Sequence, residues 1–176
     1  MKTLRLCLLF VLLLPFSLNA SQTYEQRLEK KIHALINAER VKHGLKPFKY
    51  SAKLSEIARL HSRDMADKDY TDHIDKDGLN PSDRAKKAGY NIIKKKKNGY
   101  RTGVGENIHE SYMEKEENGV ITPMLPSVNE AAKKAVDGWM NSPGHRANIL
   151  NPDYTFAGIG VAISKDKKIK ATQMFF

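Results

Sequence analysis

Residues 157–163 have the sequence Ala157-Gly-Ile-Gly-Val-Ala-Ile163. Ile or Val occupies every second position from 159 to 163, and Gly or Ala occupies the positions between them. This period of two predicts a β-strand with one face of large side chains and one face of almost bare backbone. Glycine inside a strand is typical of a place where another element approaches closely. We therefore expect a second element to pack very close to the small face of this strand.

The flanking sequence predicts helices and a partner strand. After a turn at 164–167, residues 169–176 can form the second strand of a hairpin. Upstream, apolar residues recur at three- and four-residue steps over 24–43 and again over 54–65, which predicts two amphipathic helices. Ser127 and Glu130 form a capping box, so a further helix is expected to begin there and to end near Asn141. Helices combined with a late antiparallel sheet indicate the α+β class.

Three segments between these elements have weaker signals. Residues 82–87 are expected to form a short helix, because Asp83 lies in its first turn and Gly89 follows its end. Alternation over 103–110 predicts a strand. Residues 112–126 show no periodicity and include Pro123 and Pro126, so a loop is expected there.

The first 20 residues have the layout of a secretory signal. Lys2 and Arg5 precede an apolar run over residues 6–14, and the small residue Ala20 suits cleavage. We expect secretion, with residues 1–20 removed as a signal peptide and residues 21–176 remaining as one extracellular domain. A membrane anchor is the alternative, but the apolar run is shorter than the roughly 20 residues that a spanning helix needs.

The composition indicates that the expected exported domain is basic and has no disulfides. The only cysteine of the chain, Cys7, lies within the expected signal peptide. Loss of Lys2 and Arg5 lowers the formal net charge from +10 to +8. A domain of this length can bury roughly two thirds of its unfolded surface, so packing alone is expected to stabilise it.

Three motifs place polar residues beside turns and strand ends: Asp72-His73, Gly105-Glu106-Asn107 and Trp139-Met-Asn-Ser-Pro-Gly-His-Arg-Ala-Asn-Ile-Leu150. Together they resemble the CAP superfamily, the secreted domains that share a fold with cysteine-rich secretory proteins, antigen 5 and plant pathogenesis-related proteins. Further segments that fit the pattern in order are 37–40, 58–66, 88–90, 158–161 and 172–175. The resemblance covers nearly all of residues 21–176 and is closest to the disulfide-free prokaryotic branch.

This resemblance implies a three-layer α-β-α sandwich with a central antiparallel sheet. It also implies a cleft lined by two histidines and acidic residues, which in some members holds a divalent metal. Matched position by position, the histidines fall on His73 and His145, and one carboxylate falls on Glu106. Ser142 stands where animal relatives have a second acidic residue, which puts in question any activity that needs two carboxylates.

Two chemical interpretations of the cleft remain open. His73, Glu106 and His145 would suit Zn²⁺ with one open coordination position. Alternatively they form a polar network, in which Glu106 accepts a hydrogen bond from His145. The residues expected to hold the loop that carries this histidine are Asn107, Arg146 and Asn148.

A basic run, Lys94-Lys-Lys-Lys97, precedes the strand that carries Glu106. A nucleic-acid site would interleave aromatic residues for base stacking, and only Tyr90 and Tyr100 flank this run. No specific nucleic-acid partner is therefore expected. The run is either a solvated loop or a patch that attracts the domain to an anionic cell-surface polymer or lipid.

Two functions fit these expectations. The first is a secreted binding or interaction module, whose cleft takes an unidentified ligand, protein partner or divalent metal. The second is an extracellular metal-dependent hydrolase that uses the same cleft. Binding is favoured because no nucleophile is evident: Ser142 is near His145 but lacks the Gly-x-Ser-x-Gly setting of a hydrolase serine. Whether the domain is an enzyme stays open.

Overall fold

The computed structural model describes residues 21–117 and 120–176, and the expected signal peptide at 1–20 lies outside the described residues. In chain order the described elements are α1 (Tyr24–Lys42), β1 (Lys49–Tyr50), α2 (Ala52–Asp67), α3 (Pro81–Lys87), β2 (Ile93–Lys96), β3 (Gly99–Thr102), β4 (Gly105–Tyr112), β5 (Glu114–Glu117), β6 (Val120–Pro123), α4 (Val128–Asn141), α5 (Pro143–Ile149), β7 (Phe156–Ile163) and β8 (Lys168–Phe175). None of the helices in these ranges is long and apolar enough to cross a membrane.

Four strands form the central sheet, in the order β1-β7-β8-β4. β7 pairs antiparallel with β8, and β8 pairs antiparallel with β4. The three longer strands are antiparallel, as expected, but the two-residue strand β1 runs parallel to β7, so the sheet as a whole is mixed. β1 leads directly into α2, whose N-cap is Ser51. The direction of β1 is therefore set by the need to place α2 against β7.

Helices cover both faces of the sheet, which confirms the three-layer α-β-α sandwich. On one face, α1, α4 and α5 bury apolar residues against the large side chains of β7 and β8. Trp139 lies in this core with 1% of its surface exposed, and the capping box of Ser127 and Glu130 begins α4. On the other face, α2 and α3 pack on the sheet around a smaller apolar cluster.

Helix α2 lies against the backbone of β7 at Gly158 and Gly160. An added Cβ at Gly158 would overlap the backbone nitrogen of Ser55, and one at Gly160 would overlap that of Arg59. The Ser62 hydroxyl donates a hydrogen bond to the Gly160 carbonyl at 2.9 Å. Helix α2 can thus pack closely on the small face of β7 only because residues 158 and 160 have no side chain.

Three segments expected to be loops contain regular structure. Most of the basic run lies in β2, which pairs with β3, and residues 112–126 contain the β5–β6 hairpin. His145 lies in helix α5 instead of a loop. Pro143 occupies the start of α5, where its missing N–H costs no hydrogen bond. Pro123 is the last residue of β6, so it ends the short ladder instead of interrupting it.

Replacing Gly158 or Gly160 with Ala is expected to destabilise the domain by about 3 kcal/mol, because either methyl group would push α2 away from the sheet. Urea unfolding followed by far-UV circular dichroism measures the change. Gly144→Ala is the matched control, since nothing lies within 4 Å of a Cβ added there. That variant is expected to change stability by less than about 1 kcal/mol. Similar losses in all three variants would contradict the close packing of α2 on β7.

Candidate functional site

Strand β4 forms one edge of the central sheet and carries the Gly105-Glu106-Asn107 motif. Successive residues of a strand point to opposite faces, so Glu106 faces the α2–α3 layer and Asn107 faces the α4–α5 layer. The register agrees, because Glu106 lies opposite Met174, which packs with α2, and Asn107 lies opposite Gln173. Glu106 and Asn107 are both buried. The motif therefore connects both helical layers at one edge of the sheet.

Glu106 is a buried carboxylate with two close donors. Its Oε2 accepts from Nη2 of Arg84 at 2.6 Å, and its Oε1 accepts from Nδ1 of His73 at 2.8 Å. Nε2 of His61 lies 3.9 Å from the same Oε1, and it donates to the Asp72 carbonyl at 3.0 Å. His61 is thus a hydrogen-bonded core histidine. Burying a carboxylate costs several kcal/mol unless partners compensate, and Arg84 supplies that compensation.

Arg84, in α3, also organises the turn that carries His73. Its Nη1 donates to the carbonyl of His73 at 2.9 Å and to that of Leu79 at 2.8 Å. One guanidinium therefore holds both the backbone of His73 and the carboxylate that bonds to the His73 ring. The sequence does not single out Arg84, because its only signal is its position in a short helix after the His73 turn.

The His73 ring is oriented by Glu106 but remains open to solvent. Its side chain is 46% exposed, and the bond from Nδ1 to Glu106 leaves Nε2 for another partner. This hydrogen bond raises the pKa of His73, although burial acts in the opposite direction. A carboxylate bonded to one ring nitrogen fixes the tautomer and the orientation of the imidazole, as in many metal sites.

On the opposite face of β4, amide side chains hold the start of α5. Nδ2 of Asn107 donates to the His145 carbonyl at 3.1 Å. Nδ2 of Asn148 donates to the Glu106 carbonyl at 3.2 Å and to Oδ1 of Asn107 at 2.9 Å. An edge strand leaves backbone groups unpaired, and these side-chain donors satisfy one of them. Helix α5 is thereby tied to the edge of the sheet.

The interior beside α4 is also polar. Nε1 of Trp139 donates to the Ile108 carbonyl at 2.9 Å, and the His109 ring meets Trp139 edge-on. Burial lowers the pKa of His109 to about 4. Nε2 of His109 and the amide group of Gln173 are buried without a hydrogen-bond partner among the described residues. The alternation of β4 places His109 on the same face as Asn107 in the sequence pattern, but the sequence alone assigned no role to His109 or Gln173.

The candidate cleft is the part of the β4 edge between His73, whose ring bonds to Glu106, and His145, whose carbonyl accepts from Asn107. Burial lowers the pKa of His145, and the positive charge of His73 lowers it further. His145 is partly exposed, so both imidazoles are within reach of solvent at the β4 edge.

The partners of Glu106 differ from the predicted network. Glu106 accepts from His73 and Arg84, in the α2–α3 layer, instead of from His145. The physical reason is the alternation of β4, which turns the Glu106 side chain away from α5. The hydrogen bond between β4 and His145 involves the backbone carbonyl of His145, which accepts from the Asn107 side chain.

Arg146, which was expected to help hold the segment of His145, lies beside the end of α1 instead. Nη2 of Arg146 is 3.2 Å from Nε2 of His43, next to α1. Ser142 is the N-cap residue of α5, but its side chain makes no capping hydrogen bond. Asn107 and Asn148, by contrast, contact the start of α5 through the bonds described above.

Metal binding by His73, Glu106 and His145 stays a prediction. Within residues 21–117 and 120–176, no group of three or more His, Cys, Asp or Glu side chains is placed to hold a metal ion. Both oxygens of Glu106 already accept hydrogen bonds, and the adjacent Arg84 guanidinium would repel a cation. The donors best suited to a metal are therefore the two imidazoles.

Opposite pKa shifts of the two histidines predict opposite effects of pH on stability. The folded-state pKa of His73 is raised, so its contribution is fully present below the unfolded pKa of 6.5 and is lost as pH rises through the raised value. The folded-state pKa of His145 is lowered, so its neutral form favours the fold, and stability falls as pH drops below 6.5.

Relative to wild type, His73→Ala is expected to lose more stability at about pH 5.5 than at about pH 8, and His145→Ala is expected to show the reverse. Urea unfolding at both pH values measures the two differences. His43→Ala, outside the cleft, controls for the loss of an imidazole. Parallel pH dependence in the two variants would contradict the hydrogen bond from His73 to Glu106 and the partial burial of His145 as the causes of the two shifts.

The three-layer sandwich, with His73 and Glu106 bonded at one edge of its sheet, agrees with the profile of one protein family. The profile of the CAP family, described as the cysteine-rich secretory protein family, matches residues 33–175. The chain therefore belongs to the CAP family. Its single cysteine and its bacterial relatives agree with the disulfide-free branch.

Three relatives show the range of similarity. The chain is 41% identical over 132 residues to the uncharacterized protein YkwD of Bacillus subtilis (strain 168), a match that covers 75% of this chain and 41% of YkwD. An extracellular protein of Bacillus anthracis str. Ames that contains an SCP domain superposes with a TM-score of 0.63 and 27% identity, over 86% of this chain and 41% of that protein. The structure of NaASP2 with Zn²⁺ superposes with a TM-score of 0.51 over 89% of this chain and 81% of that one. At 13% identity, this last similarity shows the fold alone.

The chain spans less than half the length of the curated relatives that it matches. Those proteins therefore contain sequence beyond the shared domain. These relatives and this chain share the CAP domain. The match does not extend to the rest of the relatives, so it does not transfer their activity or partners to this chain.

Proposed function

We propose that this chain is exported and acts as an extracellular binding module, which takes its ligand or partner between His73 and His145. The observation that carries the proposal is the buried Arg84–Glu106 pair, which orients an exposed imidazole. A ring held in one orientation loses little freedom on binding, so its affinity for a ligand is higher than that of a mobile side chain.

Export is supported by the signal-like layout of residues 1–20 and by the relative from Bacillus anthracis, which is described as extracellular. A domain without disulfides must be stabilised outside the cell by the packing of its core. The core between α1, α4 and the sheet supplies that packing, since its main apolar residues are almost fully buried.

A divalent metal, with Zn²⁺ as the ion to test, is one ligand that suits the cleft. His73 and His145 would hold it, and Glu106 would orient His73 instead of binding the ion. Bound zinc would supply a Lewis acid for an oxygen ligand. Two protein ligands would leave coordination positions open for a partner molecule, which fits a binding role.

Zn²⁺ is expected to raise the melting temperature of residues 21–176, because an ion that binds only the folded state stabilises it. The variant His73→Ala/His145→Ala is expected to lose the increase, and His43→Ala is expected to keep it. Differential scanning fluorimetry measures the shift, with Mg²⁺ as the control ion. An unchanged wild-type melting temperature would contradict the metal proposal.

The role of Glu106 can be tested in the same assay. As an orienting residue, Glu106→Gln is expected to weaken zinc binding by about 10- to 100-fold without abolishing it. Complete loss in a variant that still folds would instead make the carboxylate a ligand. Far-UV circular dichroism establishes whether the variant is folded.

The alternative function is an extracellular metal-dependent hydrolase. One observation favours it. The hydrogen bond from Nδ1 of His73 to the Glu106 carboxylate can support proton transfer at Nε2 of His73. We nevertheless expect no turnover, because a metal-activated water needs a free general base, and both oxygens of Glu106 already accept hydrogen bonds from His73 and Arg84. A fluorogenic panel of peptides and esters, assayed with Zn²⁺, tests this expectation. Product release that His145→Ala abolishes would replace the binding module with a hydrolase.

A further inference from the structure

The β2–β3 hairpin has an inner and an outer face, and its inner face is used to hold it on the domain. Nζ of Lys94 donates to the Asp153 carbonyl at 2.8 Å and to Oγ1 of Thr155 at 2.7 Å. Lys96 pairs with the Asp153 carboxylate. The Arg101 guanidinium lies 4.5 Å from the centre of the Tyr154 ring. Half of the basic run therefore has a structural role.

The outer face of the hairpin carries the residues that do not contact the rest of the domain through these bonds. Ile93 lies opposite Thr102, and Lys95 lies opposite Tyr100, so these four side chains share one side of the ladder. Tyr100 is 71% exposed and Ile93 is 54% exposed. Lys95, and Lys97 in the adjoining turn, are exposed, and neither forms an ion pair with another described residue.

We propose that this outer face docks on an anionic lipid surface. A soluble polyanion would require only the lysines, and it would leave Ile93 and Tyr100 exposed to water. At a bilayer, aromatic and apolar side chains enter the headgroup region while lysines contact lipid phosphates. The combination of unpaired cations and exposed apolar groups on one face therefore favours lipid over polymer.

The charge of the whole chain supports the same partner. A formal net charge of +10, or +8 without residues 1–20, attracts the domain to an anionic surface over distances near a Debye length. At contact, each lysine near an anionic leaflet strengthens binding by roughly fivefold. Lys95 and Lys97 together are thus expected to account for a factor of about 30.

Docking would also orient the cleft, because the hairpin continues into β4. Gly103 and Val104 connect β3 to the strand of Glu106, and the Val104 amide donates to the Ser82 hydroxyl at 3.1 Å. The hairpin is therefore attached both to α3 and to the Asp153 segment. A docked hairpin would hold the histidine cleft at a defined angle to the membrane.

The test is co-sedimentation of residues 21–176, which contain every described element, with large vesicles. We expect binding to phosphatidylcholine vesicles that contain phosphatidylglycerol, and not to pure phosphatidylcholine. Lys95→Gln/Lys97→Gln is expected to weaken binding by about 30-fold. The matched control Lys46→Gln/Lys165→Gln removes two exposed lysines elsewhere and is expected to weaken binding by less than about threefold, through net charge alone.

Ile93→Ser/Tyr100→Ser separates lipid from polymer. This variant is expected to lose most vesicle binding while its thermal melt stays unchanged. If it binds vesicles as wild type does, the lysines alone account for binding, the partner is a polyanion and the lipid proposal fails. Equal losses in the hairpin and control lysine variants would also overturn it. The proposal is independent of the cleft, so His73→Ala/His145→Ala is expected to bind vesicles normally.

Discussion

Helix α2 lies directly on the backbone of β7, and the arrangement of the cleft depends on this contact. It is possible because Gly158 and Gly160 have no side chains that would separate the helix from the strand. At this depth, His61 on α2 comes within 3.9 Å of Glu106, two strands away on β4. A thicker interface would move the whole α2–α3 layer outward, together with the residues that surround the carboxylate.

The cleft itself depends on one buried ion pair. Glu106 and Arg84 lie almost out of solvent, and removal of one partner of such a pair commonly costs about 3–5 kcal/mol. Arg84 also holds the His73 carbonyl, so the interaction that offsets the cost of burial positions the exposed ring as well. Stability and the position of the His73 ring are therefore coupled at this point. On the other face of the strand, the amides of Asn107 and Asn148 hold α5 without any buried charge.

Much of the fold could be predicted because its signals are local. The alternation in β7 and the capping box of α4 involve residues only a few positions apart, and both are present in the structure. The direction of β1 could not be predicted, since a two-residue strand has no period and its partner is more than 100 positions away. The β5–β6 hairpin could not be predicted because Pro123 and Pro126 indicate a loop, whereas Pro123 only ends β6 and Pro126 follows it. Pro143 begins helix α5 instead of interrupting it.

By itself, the sequence determined the helical faces, the two-faced strand, the family and the positions of His73, Glu106 and His145 in its motifs. It also established the signal-like layout of residues 1–20 and the basic run at 94–97. Only the tertiary structure decided that Glu106 bonds to Arg84 and His73, which are 22 and 33 positions away. It also decided which lysines of the run face the domain and which face solvent. The physical reason is that such contacts depend on how separate layers meet, and no local periodicity records that arrangement.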